Sequence, residues 1–225
     1  MGYEDVIKKL GLLKNPKNIA GMARFGIRPN AEVYGISIPE LRKMAKTIGK
    51  DHKLAIELFD SGIHEARLLA GFIDEPEKVT EAQIKKWVKT FDSWDIVDQV
   101  CSNLFDKTSF AHDKIFEFSK RKEEFVKRTA FTLMATSAVH NKGMSDKDFL
   151  EFFPLIKKAS TDERNFVKKS VNWALRQIGK RNKKLNASAV KLAKEIQKID
   201  SKSAKWIAND AIRELTSPQI LKKFI

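Results

Sequence analysis

In the stretch Ser93-Trp-Asp-Ile-Val-Asp98 an indole and a carboxylate stand four residues apart. On a helix that spacing puts Trp94 and Asp98 on one face, a turn from each other. A carboxylate beside a flat apolar wall acts in a locally low dielectric, and the wall packs against a sugar or base ring while keeping water out. Such a pair can stabilise a developing cation or orient and deprotonate a water. The same spacing also fits an amphipathic helix that buries its Trp as core and leaves its Asp solvated. Trp206-Ile-Ala-Asn-Asp210 repeats it, so spacing alone does not separate the two pairs. Asp95 points about 100° away from Trp94 and is expected to meet a neighbouring cation or cap the helix.

Two later helix starts carry cations and aromatics. Phe125-Val-Lys-Arg128 opens one, and Asn165-Phe-Val-Lys-Lys-Ser-Val-Asn-Trp173-Ala-Leu-Arg176 opens the next. On the second, Phe166, Lys169, Trp173 and Arg176 share a face by their spacings of three and four. Basic groups near a helix N-terminus meet phosphate oxygens together with backbone amides. An aromatic among them suits nucleic acid, while a Trp buried between helices is the competing reading. Other chemistries fit poorly. His64-Glu65 begins like a zinc-protease motif, but Leu68 occupies the second His position. The remaining histidines lack ligand spacing, so no metal is expected. Gly21-Met-Ala-Arg-Phe-Gly26 has neither the spacing nor the flanking strand of a nucleotide site.

The elements that must position these groups are helices. Apolar residues three or four apart predict helix over Lys85 to Phe91, Trp94 to Phe105, Phe125 to Val139, Phe166 to Ile178 and Ala204 to Leu215. Strand signals are absent. Breaks are expected at Asn15-Pro16, Arg28-Pro29-Asn30, Ile38-Pro39, Ser61-Gly62, Glu75-Pro76, Asn141-Lys-Gly143 and Ser217-Pro218. Thr80-Glu-Ala-Gln83 and Ser145-Asp-Lys-Asp148 read as helix starts. Phe125-Val-Lys-Arg128 echoes in Phe166-Val-Lys-Lys169 at an offset of 41, and Ala174-Leu-Arg176 in Ala211-Ile-Arg213 at 37. Those offsets match paired-helix repeats stacked on one continuous core, with an ordinary helical bundle as the alternative. In a stack of repeats Arg128 aligns with Lys169.

With 225 residues, 42% of them hydrophobic, the chain can bury a sizeable core and is expected to form a single domain over 1–225. No apolar run approaches the roughly 18 residues of a membrane span, and no signal peptide is visible at Met-Gly-Tyr-Glu-Asp. One cysteine, Cys101, leaves no internal disulfide and suits a reducing cytoplasm. It sits beside Leu104 and Phe105 and is expected to be a small core hydrophobe. The net charge is +14, and it is not spread evenly. Through Asp113 there are 17 Lys and Arg against 17 Asp and Glu, leaving 26 against 12 beyond. Such an excess suits a polyanion, and the absence of one strongly basic amphipathic segment fits a membrane surface less well.

The order Trp-Asp-x-x-Asp, then Arg128 after a hydrophobic helix start, then Trp173-Ala-Leu-Arg176, resembles the AlkD-type DNA glycosylases. These are HEAT-repeat-like proteins that excise alkylated purines. Met22-Ala-Arg-Phe25 and Gly35-Ile-Ser-Ile-Pro-Glu-Leu-Arg42 extend the resemblance over the full length. It implies an all-α superhelix of HEAT-like or armadillo-type repeats, acting without cofactor on double-stranded DNA that contains N3- or N7-alkylated purines, without base flipping. It further implies that Asp98, ionised, is catalytic with Trp94 and Trp173 as its partners around the lesion's sugar, and that Arg128 anchors the backbone. Phe166, Lys169 and Arg176 are the further DNA contacts expected, Arg176 having an ion-pairing role as its alternative. By the same pattern Trp206 is expected in the core or as a secondary backbone contact. Two departures bear on lesion contacts: Asn165 stands where an aromatic is expected ahead of Phe166, and Phe25 where a Tyr is. Some relatives of this fold bind unusual nucleic-acid structures without cleaving, so the alternative expectation is a non-catalytic HEAT-like module that binds nucleic acid or a protein partner on its concave basic face. The protein is expected to be a cytoplasmic monomer, nucleoid-associated on DNA.

Overall fold

A computed structural model describes residues 1–224, and among them the regular elements are all helical. The one exception to helix and loop is an isolated bridge from Glu32 to Ile63. The chain divides into two compact units, Met1–Phe110 and a second that starts at Ala111.

The first unit contains α1 (Tyr3–Leu12), α2 (Pro16–Met22), α3 (Ile38–Ile48), α4 (His52–Phe59), α5 (His64–Ile73), α6 (Glu81–Lys89) and α7 (Trp94–Asn103). Its helix starts are set by local chemistry. Asn15, Ser37, Asp51 and Thr80 each accept a backbone N–H three residues on, the standard cure for the orphan donors of a first turn. Pro16 and Pro39 sit in the first turns, where a missing N–H costs nothing. The break expected at Ile38-Pro39 is therefore a helix start. α6 begins four residues before the Lys85 given by periodicity, because the Thr80 cap admits a polar first turn. Helix α5 is the spine: it packs on α3, α4 and α7, and from His64 to Gly71 every residue is buried. Phe59 stacks on Trp87 with centroids 3.9 Å apart, and the Arg67 guanidinium lies over the same Phe59.

The second unit holds α8 (Ala111–Ser119), α9 (Glu124–His140), α10 (Asp146–Glu151), α11 (Phe153–Ala159), α12 (Asn165–Gly179), α13 (Lys183–Gln197), α14 (Lys202–Leu215) and α15 (Pro218–Leu221). Successive pairs α8/α9, α11/α12 and α13/α14 stack, with α12 packed between α9 and α14. The sequence echo is now visible as contact. The Phe125 and Phe166 rings lie 5.7 Å apart at the starts of α9 and α12. Ser145 and Asp148 close the expected capping box on α10. Gly179 ends α12 where a Cβ would come within 2.7 Å of Leu215, so the α12–α14 approach depends on its missing side chain. Cys101 is fully buried, as expected of a small hydrophobe.

Candidate functional site

Trp94 is the first residue of α7 and is half-buried, as is Asp98 a turn later. The indole is fixed rather than loose: its Nε1–H donates to the Phe25 carbonyl at 2.9 Å, joining α7 to the Met22-Ala-Arg-Phe25 segment. The next carboxylate is used differently. Asp95 is buried, accepting from His64 Nε2–H at 2.8 Å and from the Ser93 hydroxyl at 2.5 Å. Burial alone would raise its pKa, but the His64 and Ser93 hydrogen bonds and the His64 charge outweigh that and hold the carboxyl below its ordinary value. Asp95 thus hydrogen-bonds to the neighbouring His64 ring.

Beside His64 and Asp95 lies a cleft of about 370 Å³ wholly within the first unit, which Trp94 and Asp98 do not line. Met22, Phe25, Ile36 and Leu68 supply apolar walls, and His64 and Asp95 the buried polar groups. Its framework rests on Glu65, which is buried and accepts three backbone N–H groups, from Tyr34 (2.8 Å), Gly35 (2.6 Å) and Ile36 (3.3 Å). Gly35 has φ +71°, and a Cβ there would stand 2.4 Å from the Asn15 carbonyl. Only glycine fits such an approach. The sequence reading took His64-Glu65 as a failed zinc motif and missed this role. The available signal was two charged or polar groups inside the otherwise apolar run Ile63 to Ile73, which must find partners once buried.

In the second unit the expected basic face is only partly realised. Lys169 is exposed, and Phe166 and Trp173 are half-buried. Arg128 is 5% exposed and donates from Nη1 to the Phe166 carbonyl at 2.6 Å, so it braces the first turn of α12 instead of standing in solvent. Arg176, expected as a DNA contact with ion pairing as its alternative, is ion-paired in the structure. Its guanidinium is committed to Glu214 and lies 3.6 Å from Asp210, and Lys180 completes the cluster at 2.7 Å. Burial disfavours a charged Glu214, but hydrogen bonds from Lys180 and Arg176 overcome it and lower the carboxyl's pKa.

The duplicate pair, Trp206 and Asp210, also has neighbours on other helices or turns. Asp210 accepts from Asn172 at 2.7 Å and pairs with Arg213. Trp206, expected in the core or as a secondary backbone contact, is 42% exposed beneath the Lys168 ammonium, 5.2 Å from its ring. It is not core because Ile207, Ala208 and Ala211 already occupy the inward stripe of α14. Among the described residues no cluster of three or more His, Cys, Asp or Glu could hold a metal, and no helix is long and apolar enough to cross a membrane.

The fold and these two sets of residues define an all-α repeat protein of the HEAT-like kind. The chain belongs to the DNA alkylation repair enzyme family, whose model matches residues 6–215. It is similar to an uncharacterized protein of Listeria innocua serovar 6a, 24% identical over 200 residues that cover 88% of this chain and 87% of that one. An uncharacterized protein of Listeria monocytogenes serovar 1/2a is 28% identical over 95 residues, 41% of this chain and 42% of that one. Among solved structures, one described as "a new family of proteins related to the HEAT-like repeat DNA glycosylases with affinity for branched DNA structures" superposes with a TM-score of 0.78. It is 18% identical and covers 95% of each chain, a likeness of fold.

Proposed function

We propose that this protein is a DNA glycosylase that hydrolyses the N-glycosidic bond of cationic N3- or N7-alkylated purines in duplex DNA, with the damaged nucleotide left in or near the duplex. The observation that carries the reading is the Trp94/Asp98 pair on α7, half-exposed on one helix face in a chain of the alkylation repair family, with the indole tied to the Phe25 carbonyl.

A purine alkylated at N3 or N7 is already positively charged and leaves without a strong acid. As the C1′–N bond breaks, its electron pair passes to the purine, which becomes neutral, and the deoxyribose becomes an oxocarbenium-like cation. The Asp98 carboxylate stabilises that cation more than the ground state, which is the condition for acceleration. Water adds to C1′ and gives its proton to Asp98 and then to solvent, yielding the free base and an abasic site. Trp94 acts as an apolar wall for the nucleotide, and Trp173 of the second unit is a further aromatic contact to DNA. Phe166 and Lys169 contact the same duplex, and Arg128 is a positioning residue that acts through the Phe166 carbonyl. The chemistry asks for no cofactor. The protein works as a monomer on nucleoid DNA in the cytoplasm.

A second reading is non-catalytic DNA binding, favoured by the fold shared with a protein that has affinity for branched DNA and by the departures at Phe25 and Asn165. One assay decides: release of 7-methylguanine from methylated duplex by purified protein. Release above the spontaneous rate supports the glycosylase. Tight binding to duplex or four-way junctions with no release supports the second reading.

A further inference from the structure

Another pocket of the first unit, about 290 Å³, lies among Arg42, Lys46, Lys50 and Lys107. All four residues are exposed, and no carboxylate is among the side chains that line it. What these cations touch is neutral. Arg42 donates to the side-chain oxygens of Asn103 (3.1 Å) and Gln99 (3.2 Å), and its guanidinium lies over the Phe72 ring. Lys50 donates to the carbonyls of Phe72 (3.1 Å) and Asp74 (2.6 Å), and Lys107 to the Asn103 carbonyl (2.8 Å). Lys46 makes no hydrogen bond or ion pair among the described residues.

Helix capping accounts for part of this arrangement. α3, α5 and α7 end at the pocket, and each C-terminus presents roughly half a negative charge. Four full positive charges exceed the roughly one and a half that three such ends supply. The acids that act on Lys50, which are Asp74, Glu77 and Glu75, do not offset the crowding: burial and the Lys107 charge hold its ammonium below the ordinary value. The Asp74 carboxylate is turned to His52 and Gln83, and Glu75 pairs with Lys78. Donors are left over as well. An ammonium has three N–H groups and a guanidinium five. The bonds above use two on Lys50, one on Lys107 and two on Arg42.

We infer that this pocket holds a phosphate group, to which Arg42 and Lys46 of α3 and Lys107 of the turn after α7 donate charge-assisted hydrogen bonds. Two sources carry that chemistry. One is a DNA strand, which rests on the nucleic-acid reading above. It seats a backbone phosphate beside the helix of Trp94 and Asp98, where Arg42 is bonded to Gln99, the residue after Asp98. The other is free phosphate or a small phosphate ester, which does not rest on that reading.

The test uses the full chain in two arms. Inorganic phosphate is followed by NMR shifts of the Gly49 and Phe72 amides, and duplex DNA by anisotropy over a salt series. The variants are Lys46→Gln/Lys107→Gln and Lys46→Gln alone, which removes no contact within the protein. Lys43→Gln is the control, since Lys43 is on the same helix, pairs with Glu40 and does not line the pocket. Wild type is expected to give saturable phosphate shifts at both amides. Removing two charges at contact distance should weaken phosphate binding about tenfold or more, and Lys46→Gln alone about threefold, with Lys43→Gln within about twofold of wild type. A strand occupant predicts, with or without measurable binding of free phosphate, that the double variant loses about tenfold in duplex affinity and about 2 in the slope of log K against log salt. Phosphate binding with those losses and an unchanged duplex affinity assigns the pocket to a free phosphate. The proposal is overturned if neither arm responds to the pocket variants, or if Lys43→Gln matches Lys46→Gln in whichever arm responds. If phosphate binds and no duplex does, the nucleic-acid reading falls and the pocket assignment stands. If 7-methylguanine is released and neither arm responds to the variants, the reverse holds.

Discussion

Replacing Asp98 by Asn removes one negative charge from the Trp94 face of α7 and keeps the side chain's size. If the carboxylate lies about 4 Å from the cationic sugar and the effective dielectric is near 20, as for pairs at a protein surface, their attraction is about 4 kcal/mol. Asp98 is half-buried, so partial solvation sets a lower bound. Doubling the dielectric to about 40 leaves about 2 kcal/mol. These limits correspond to a roughly 30- to 1,000-fold slower chemical step. The assay is single-turnover release of 7-methylguanine from methylated duplex, with protein in excess so that affinity does not enter. Asp210→Asn, run alongside, should stay within about threefold of wild type, because Asp210 serves the Asn172 and Arg176 contacts. An active wild type whose Asp98→Asn variant keeps its rate, or whose Asp210→Asn variant loses it, would refute the assignment.

Three further outcomes follow from named contacts. Lys169→Gln should lower duplex affinity evenly across sequences and reduce the slope of log K against log salt by about 1, measured by anisotropy over a salt series. Gly35→Ala should destabilise the fold by roughly 2–3 kcal/mol or more, because it adds a steric clash to a left-handed backbone. Gly62→Ala, at φ +76° with open space around the Cβ, should cost only about 1 kcal/mol, both read by urea unfolding. Asp162 is an acid-sensitive, partly buried carboxylate. Burial opposes its charge, but Arg164 and Lys127 hydrogen bonds lower it from 3.8 to about 2. Its contribution is fully present above pH 3.8 and is lost as pH falls through about 2. Allowing for solvent screening, the stability gap between wild type and Asp162→Asn should be on the order of 1 kcal/mol at pH 6 and close toward pH 2.

The helices that carry the candidate residues were readable from periodicity because their apolar stripes are regular: Phe125 to Val139 and Phe166 to Ile178 each fall within a residue or two of the observed ends. The offset of 41 was readable as a repeat because equivalent positions face each other across it, as the Phe125 and Phe166 rings do. Which charged groups reach solvent was not readable. Arg128 and Arg176 share their helix faces with Phe125 and Trp173 by spacing, yet a carbonyl and two carboxylates on neighbouring helices claim them. Those partners lie about 34 to 38 residues away in sequence, beyond any local pattern. The cleft was hidden for the same reason. It is assembled from four separate stretches whose joining depends on Glu65 meeting three amides some 30 residues upstream.

The seam between Phe110 and Ala111 also divides the charge. Through Phe110 the chain has 17 basic against 16 acidic residues, and beyond it 26 against 13. The first unit, with Trp94, Asp98 and the cleft, is close to neutral, while the second holds nearly all of the attraction for a polyanion. On the proposed function, the stretch after Ala111 carries most of the attraction for DNA, so a lysine gained or lost there changes the response of binding to ionic strength.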